Sequence, residues 1–96
     1  MQLTLIGMGS GTLSGVTAEG RAYMERADVL IGAKRLLAEL PTDYAAERYD
    51  LYQPAEILRV IQTCGKARVC VLYSGDTGEF VCEVGAAQVE EGTGRV

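Results

Sequence analysis

The sequence predicts a small three-layer α/β domain, in which a mostly parallel sheet carries helices on its faces. Short apolar runs alternate with stretches of helical spacing, and 96 residues suit one domain. A glycine-rich loop follows the first apolar run, and another follows the last one. Strands that alternate with helices require right-handed crossovers, which make neighbouring strands parallel.

The first half of the chain predicts two strands and two helices. Apolar runs at 2–6 and 29–31, each closed by a glycine, predict buried strands. Helical spacing begins at Thr17, a suitable N-cap, and ends near Arg26. A short leucine-marked helix follows the second strand and stops at Pro41.

The second half predicts a helix, a strand and a last helix. Residues 42–52 are polar and mixed, and no element is predicted there. Pro54 suits the first turn of a helix that Gly65 ends, and the run 69–73 predicts a third buried strand. Helical spacing then returns, and residues 90–96 are expected to fray. The apolar positions of this last helix are Phe80, Val81, Val84 and Ala87.

Composition excludes several classes of function. The net charge is −4 without a basic cluster, which argues against nucleic acid and anionic membranes as partners. No apolar run approaches the ~20 residues of a membrane span, and no signal-peptide pattern is present, so a soluble cytoplasmic protein is expected.

Cysteine and histidine content narrows the chemistry further. Cys64, Cys70 and Cys82 are odd in number and lack Cys-x-x-Cys spacing, which argues against a disulfide framework and a metal site. Cys70 lies in an apolar run and is expected to be a small buried hydrophobe. The absence of histidine excludes Ser-His and Cys-His nucleophile pairs.

Two glycine-bearing loops are the candidate site. The first loop, residues 7–11, reads Gly7-Met8-Gly9-Ser10-Gly11, and the second, residues 74–78, reads Ser74-Gly75-Asp76-Thr77-Gly78. Ligands of such sheets bind at the carboxyl ends of the strands, so a ligand cleft shared by both loops is predicted. Two plainer interpretations stay open. The glycines can serve tight turns alone, and Asp76 can be a first-turn helix residue favoured by the dipole.

Nucleotide sites fit the loops poorly. A dinucleotide fingerprint requires glycine where Thr12 stands, and it requires an acidic residue at the end of the second strand, whereas Asp28 begins that strand. A Walker A loop requires a Gly-Lys-Ser or Gly-Lys-Thr sequence, and neither loop contains lysine.

Three segments together resemble the tetrapyrrole methylase family. They are residues 3–11 (Leu-Thr-Leu-Ile-Gly-Met-Gly-Ser-Gly), residues 27–37 (Ala-Asp-Val-Leu-Ile-Gly-Ala-Lys-Arg-Leu-Leu) and residues 72–78 (Leu-Tyr-Ser-Gly-Asp-Thr-Gly). Within the family they look most like the branch that methylates a corrin precursor at C5. The resemblance covers about the first eighty residues, in order and with fitting spacing.

The resemblance implies a two-domain enzyme, of which residues 1–96 would be the N-terminal α/β domain without its C-terminal partner. Family members bind S-adenosylmethionine in a folded shape between the domains, beside a tetrapyrrole substrate. By resemblance, the substrate would face Gly7, Gly9 and Gly11. The cofactor would contact Ser10, Gly75, Asp76, Thr77 and Gly78.

The chain departs from the family at two positions. Ser10 stands where the family usually has proline, and Gly78-Glu79-Phe80 stands where it usually has Gly-Phe-Tyr. Methyl transfer requires no histidine, and Asp76 is a candidate for orienting the cofactor or offsetting its sulfonium charge, not a base.

One domain supplies one wall of such a site. The isolated chain is therefore expected to bind S-adenosylmethionine weakly or not at all, and to be inactive. The surface left bare by the missing domain should favour a homodimer or larger homo-oligomer.

Two other classes of function remain open. One is a non-enzymatic small-ligand or nucleotide-binding α/β module that is complete at this length, and the other is a purely structural role. A reading frame that continues into a second α/β domain would favour the methyltransferase.

Overall fold

In the computed structural model, which describes residues 1–84, strands and helices alternate along most of the chain. The strands are β1 (Gln2–Gly7), β2 (Val29–Gly32), β3 (Glu47–Asp50), β4 (Arg68–Tyr73) and β5 (Gly78–Glu83). The helices are α1 (Ala18–Arg26), α2 (Lys34–Leu37) and α3 (Pro54–Thr63), with a 3-10 turn at Leu13–Gly15 before α1.

The strands form one five-stranded sheet in the order β3-β2-β4-β1-β5. The pairs β1–β4, β2–β4 and β2–β3 are parallel, whereas β5 runs antiparallel to β1. The central strands β2 and β4 are the most buried, as expected for parallel strands covered on both faces. The prediction of an α/β fold with a mostly parallel sheet is confirmed.

Alternate residues of the strands build two hydrophobic clusters, one on each face of the sheet. The first cluster joins Leu30 and Leu72 of the sheet to Met24 of α1 and to the leucines of α2. The second cluster joins Val69 and other strand residues to Ile61 of α3. Helices α1 and α2 therefore cover one face and α3 covers the other, which gives three layers.

The helix boundaries follow the predicted signals. The Thr17 hydroxyl accepts a hydrogen bond from the Gly20 amide at 3.0 Å, which is the predicted N-cap of α1. Pro54 occupies the first turn of α3, and Gly65, with φ of 67°, lies just beyond the end of that helix.

Two predictions about elements are wrong. Residues 47–50, for which no element was predicted, form β3, an edge strand whose side chains are exposed or half-buried and therefore polar. The last helix predicted from Phe80 onward is instead β5. The free edge of β1 offers backbone hydrogen bonds to this segment, and aromatic and β-branched side chains suit a strand.

The interpretation of Asp76 as a first-turn helix residue is also wrong, because a strand follows it. The positions of Ala87 and of residues 90–96 lie outside the described residues. Among the helices of residues 1–84, none has both the length and the apolar character needed to cross a membrane.

Candidate functional site

The two glycine loops meet at the carboxyl edge of the sheet. They follow β1 and β4, which are parallel neighbours in which Gly7 lies opposite Tyr73. The Gly75 amide donates a hydrogen bond to the Gly9 carbonyl at 2.9 Å, and the Met8 amide donates to the Tyr73 carbonyl at 2.8 Å. The two loops therefore lie on one edge, as predicted, and they are joined backbone to backbone.

The first loop is tightly packed by the rest of the chain. A Cβ atom at Gly7 would collide with the backbone carbonyl of Asp76, and Gly7 itself is buried. Gly11 is buried with φ of 97°, and a Cβ atom there would lie 2.8 Å from Nη1 of Arg35. These two glycines serve the close approach of other segments; their contact with a substrate stays a prediction.

Gly9 must be glycine for two reasons, its backbone conformation and the close approach of another residue. Its φ of 59° lies in the left-handed region, and a Cβ atom there would lie 2.9 Å from the Thr77 hydroxyl oxygen. The glycine is half-buried and lies directly beneath the second loop. Its backbone thus forms the seam between the two loops.

The second loop is open. Ser74, Gly75, Asp76 and Thr77 are all exposed, and so is Ser10 of the first loop. Gly75 and Gly78 have φ of 130° and 148°, and a Cβ atom at either would meet nothing within 4 Å. The residues predicted to bind the cofactor therefore form an accessible rim, with the half-buried Gly78 at its base.

Glu79 is turned away from this rim. Its carboxylate accepts a hydrogen bond from the Thr17 hydroxyl at 2.8 Å, at the N-terminus of α1. The helix dipole favours a negative charge at that place. Glu79, which stands where the family usually has phenylalanine, therefore anchors the start of β5 to α1.

Arg35 was missed by the sequence reasoning. It lies in the four-residue helix α2, and its Nη2 donates a hydrogen bond to the Ser74 hydroxyl at 3.2 Å. Beside it a pocket of about 340 Å³ opens between α2 and α3. An arginine three residues beyond the glycine that ends the second predicted strand is the signal that could have found it, although such charges usually lie in solvent.

The shifted titrating groups lie outside both loops. Burial raises the pKa of the Cys70 thiol to about 12, and its Sγ lies 3.6 Å from the Tyr23 carbonyl under α1. Burial likewise raises the pKa of Tyr44. Cys70 is a buried hydrophobe, as predicted. Within residues 1–84, no group of three or more histidine, cysteine, aspartate or glutamate side chains could hold a metal ion.

The fold and the joined loops define an α/β domain with an open rim at the carboxyl edge of its sheet. No protein-family model matches this chain, and no curated protein sequence matches it.

Proposed function

We propose that this chain is the N-terminal domain of an S-adenosylmethionine-dependent tetrapyrrole methylase. The enzyme would methylate a corrin precursor, precorrin-6Y or cobalt-precorrin-7, at C5 in cobalamin biosynthesis. The observation that supports this best is the 2.9 Å hydrogen bond from Gly75 to Gly9. It joins the loop that the resemblance assigns to the substrate with the loop that it assigns to the cofactor.

The rim has room and charge that suit S-adenosylmethionine. The space beside Gly75 and Gly78 is empty to 4 Å, so a ligand can approach the backbone there. The exposed Asp76 makes no ion pair within residues 1–84, which leaves its carboxylate free to offset a positive charge. The bound cofactor would supply a methyl group on a positively charged sulfur. The residues that would hold it are Ser10, Gly75, Asp76, Thr77 and Gly78.

Methyl transfer from sulfur to carbon is an in-line displacement, so the task of the protein is to align the reactants and exclude water. The resemblance assigns the flat substrate to Gly7, Gly9 and Gly11. Because Asp76 and Arg35 cover Gly7 and Gly11, the substrate would approach the backbone of this loop at the half-buried Gly9. The hydrogen bond between the loops would hold the backbone that contacts the substrate at a fixed distance from the rim that contacts the cofactor. One domain closes only one side of the reactants, so we propose that the isolated chain is inactive.

The proposal is tested by a pair of ligands that differ in charge. S-adenosylmethionine carries a sulfonium, whereas S-adenosylhomocysteine has a neutral thioether. In ¹⁵N NMR titrations at millimolar ligand we expect shifts at Ser10 and residues 75–78. Asp76→Asn should weaken binding of the sulfonium severalfold and leave the thioether unchanged, because it removes only charge. Asp43→Asn, a change at another exposed acid, serves as the control.

Three results would each contradict one part of this proposal. Absence of shifts at the rim, or shifts confined to other surfaces, would remove the cofactor site. An equal loss of both ligands in Asp76→Asn would remove the role of its charge. Micromolar binding by calorimetry would contradict the expectation that the isolated domain binds the cofactor weakly.

A non-enzymatic ligand-binding module is the second candidate, and the pocket beside Arg35 favours it, because that pocket lies wholly within this chain. The two candidates differ in their response to S-adenosylmethionine. A module of that kind should bind a small molecule in the pocket and give no shifts at the rim.

We further propose that the chain self-associates as a homodimer or larger homo-oligomer. Phe80 is 61% exposed on the edge strand β5, and Tyr52 is 71% exposed. Sedimentation should show mass that rises with concentration, and a clean monomer at high concentration would contradict this.

A further inference from the structure

The pocket lies where the chain leaves two neighbouring strands in opposite directions. After β2 the chain enters α2 on one face of the sheet, and after β3 it enters α3 on the other face. The pocket lies beyond the carboxyl ends of these strands and of β4, because Ala33 follows β2, Tyr52 follows β3, and Tyr73 ends β4. Ligands of open α/β sheets bind in crevices at the carboxyl ends of the strands.

The pocket walls are apolar and come from both faces. Leu36 of α2 forms one wall, Ile57 of α3 forms the other, and Leu72 of β4 lies between them. Tyr52 and Tyr73 stand at the pocket, and they are 71% and 42% exposed. A volume of about 340 Å³ is sufficient for a small organic molecule.

One cation faces this apolar space. Arg35 lines the pocket, and its guanidinium is positioned by Ser74 at 3.2 Å and by the close approach of Gly11. It forms no ion pair within residues 1–84, in a chain that has 13 acidic residues and 9 basic ones. A guanidinium has five N–H donors, so the bond to Ser74 leaves donors free for an anion.

We propose that this pocket binds a molecule with an apolar ring body and one anionic group, a carboxylate, which pairs with Arg35. The apolar walls would bury the ring, and the exposed tyrosines would cover its outer face. The inference stands on the pocket alone. Only the further step, that the carboxylate belongs to a side chain of the corrin precursor, rests on the proposed function.

Two dyes of matched shape test the pocket without any cofactor. 8-Anilinonaphthalene-1-sulfonate has an aromatic body and one anionic group, and N-phenyl-1-naphthylamine has the same body without the sulfonate. Binding of each to the 96-residue chain is measured by fluorescence titration. Arg35→Gln should weaken the anionic dye about tenfold and leave the neutral dye unchanged. Arg35→Lys should have an intermediate effect because the charge remains.

Arg59→Gln is the matched control, because Arg59 is an exposed arginine of α3 that does not line the pocket. It should leave both dyes unchanged. Methyl NMR signals of Leu36 and Ile57 should shift with either dye. Equal affinity of Arg35→Gln and wild type for the anionic dye, or methyl shifts confined to other residues, would overturn the proposal. Such a result would leave the S-adenosylmethionine titration at the rim unaffected.

Discussion

The two glycine loops look alike in sequence and differ in structure. In the first loop, the space beside Gly7 and Gly11 is filled by Asp76 and Arg35. In the second loop, the space beside Gly75 is empty, and what requires glycine is its φ of 130°. In the first loop glycine allows close approach, and Gly9 and Gly11 have left-handed φ as well, whereas in the second loop only the backbone conformation requires it. A ligand can therefore reach the second loop directly, whereas the first loop mainly supports it.

The largest expected effect on stability comes from replacing a glycine with alanine, and it differs between the two loops. Gly7→Ala forces a Cβ into the backbone of Asp76, so we expect a loss of about 3 kcal/mol or more in the free energy of unfolding. Gly75→Ala meets no atoms and should cost only about 1–2 kcal/mol for its left-handed φ. Urea denaturation of both variants measures the difference. Equal losses would contradict the claim that the first loop is tightly packed and the second is open.

The contact between the start of β5 and α1 is expected to contribute less to stability. Thr17→Ala removes an N-cap and the bond to Glu79, so we expect a loss of about 1–2 kcal/mol. Thr17→Ser keeps the hydroxyl and should lose far less. A double-mutant cycle with Glu79→Ala isolates the link between Thr17 and Glu79. A coupling energy of zero would mean that the two side chains act independently.

The reactivity of two cysteines compares the strands that adjoin the second loop, β4 before it and β5 after it. Cys70 of β4 is 2% exposed, whereas Cys82 of the edge strand β5 is half-buried. A thiol reagent should modify Cys82 in the native chain and reach Cys70 only on unfolding. Native modification of Cys70 at the same rate would show that its burial is not maintained in solution.

The raised pKa of Cys70 gives this burial a pH signature. Its pKa is about 12 in the folded chain against a usual value of 9.0, so above pH 9 the unfolded state loses a proton that the folded state keeps. Stability therefore falls as pH rises, by about 1 kcal/mol at pH 10. Cys70→Ala should lack this share of the alkaline loss, which unfolding at pH 8 and pH 10 would measure. Identical losses in both proteins would contradict the shift.

The smallest expected effect on stability belongs to Arg35. Its guanidinium is exposed and its bond to Ser74 joins two surface groups, so Arg35→Gln should change the free energy of unfolding by less than about 0.5 kcal/mol. Arg59→Gln should match it in thermal denaturation. A much larger loss in Arg35→Gln would mean that the arginine has a structural role, and this would argue against a role in ligand binding alone.

The buried elements could be predicted from the sequence, and the edge elements could not. Residues 29–31 and 69–73 are continuous apolar runs because both faces of β2 and β4 are covered. Strand β3 is polar because it lies at an edge, so no hydrophobic period marks it. The spacing of Phe80, Val81 and Val84 also fits a helix, and only the free edge of β1 decides in favour of a strand.

The candidate site was predictable to the same extent. The adjacency of the two loops follows from parallel strands whose carboxyl ends share one edge. The placement of Arg35 beside Gly11 and Ser74 depends on how α2 packs after β2, which no local pattern encodes. The orientation of Glu79 toward Thr17 likewise depends on the unpredicted β5.

The hydrogen bond from Gly75 to Gly9 makes one amide proton a reporter of the whole rim. Gly75 is exposed, yet its N–H is held by a carbonyl of the other loop, so its exchange with solvent deuterium requires the loops to separate. A ligand that bridges the loops must slow this exchange, and a ligand in the pocket alone need not. The exchange rate of the Gly75 amide thus measures how often the two loops separate in the unliganded chain.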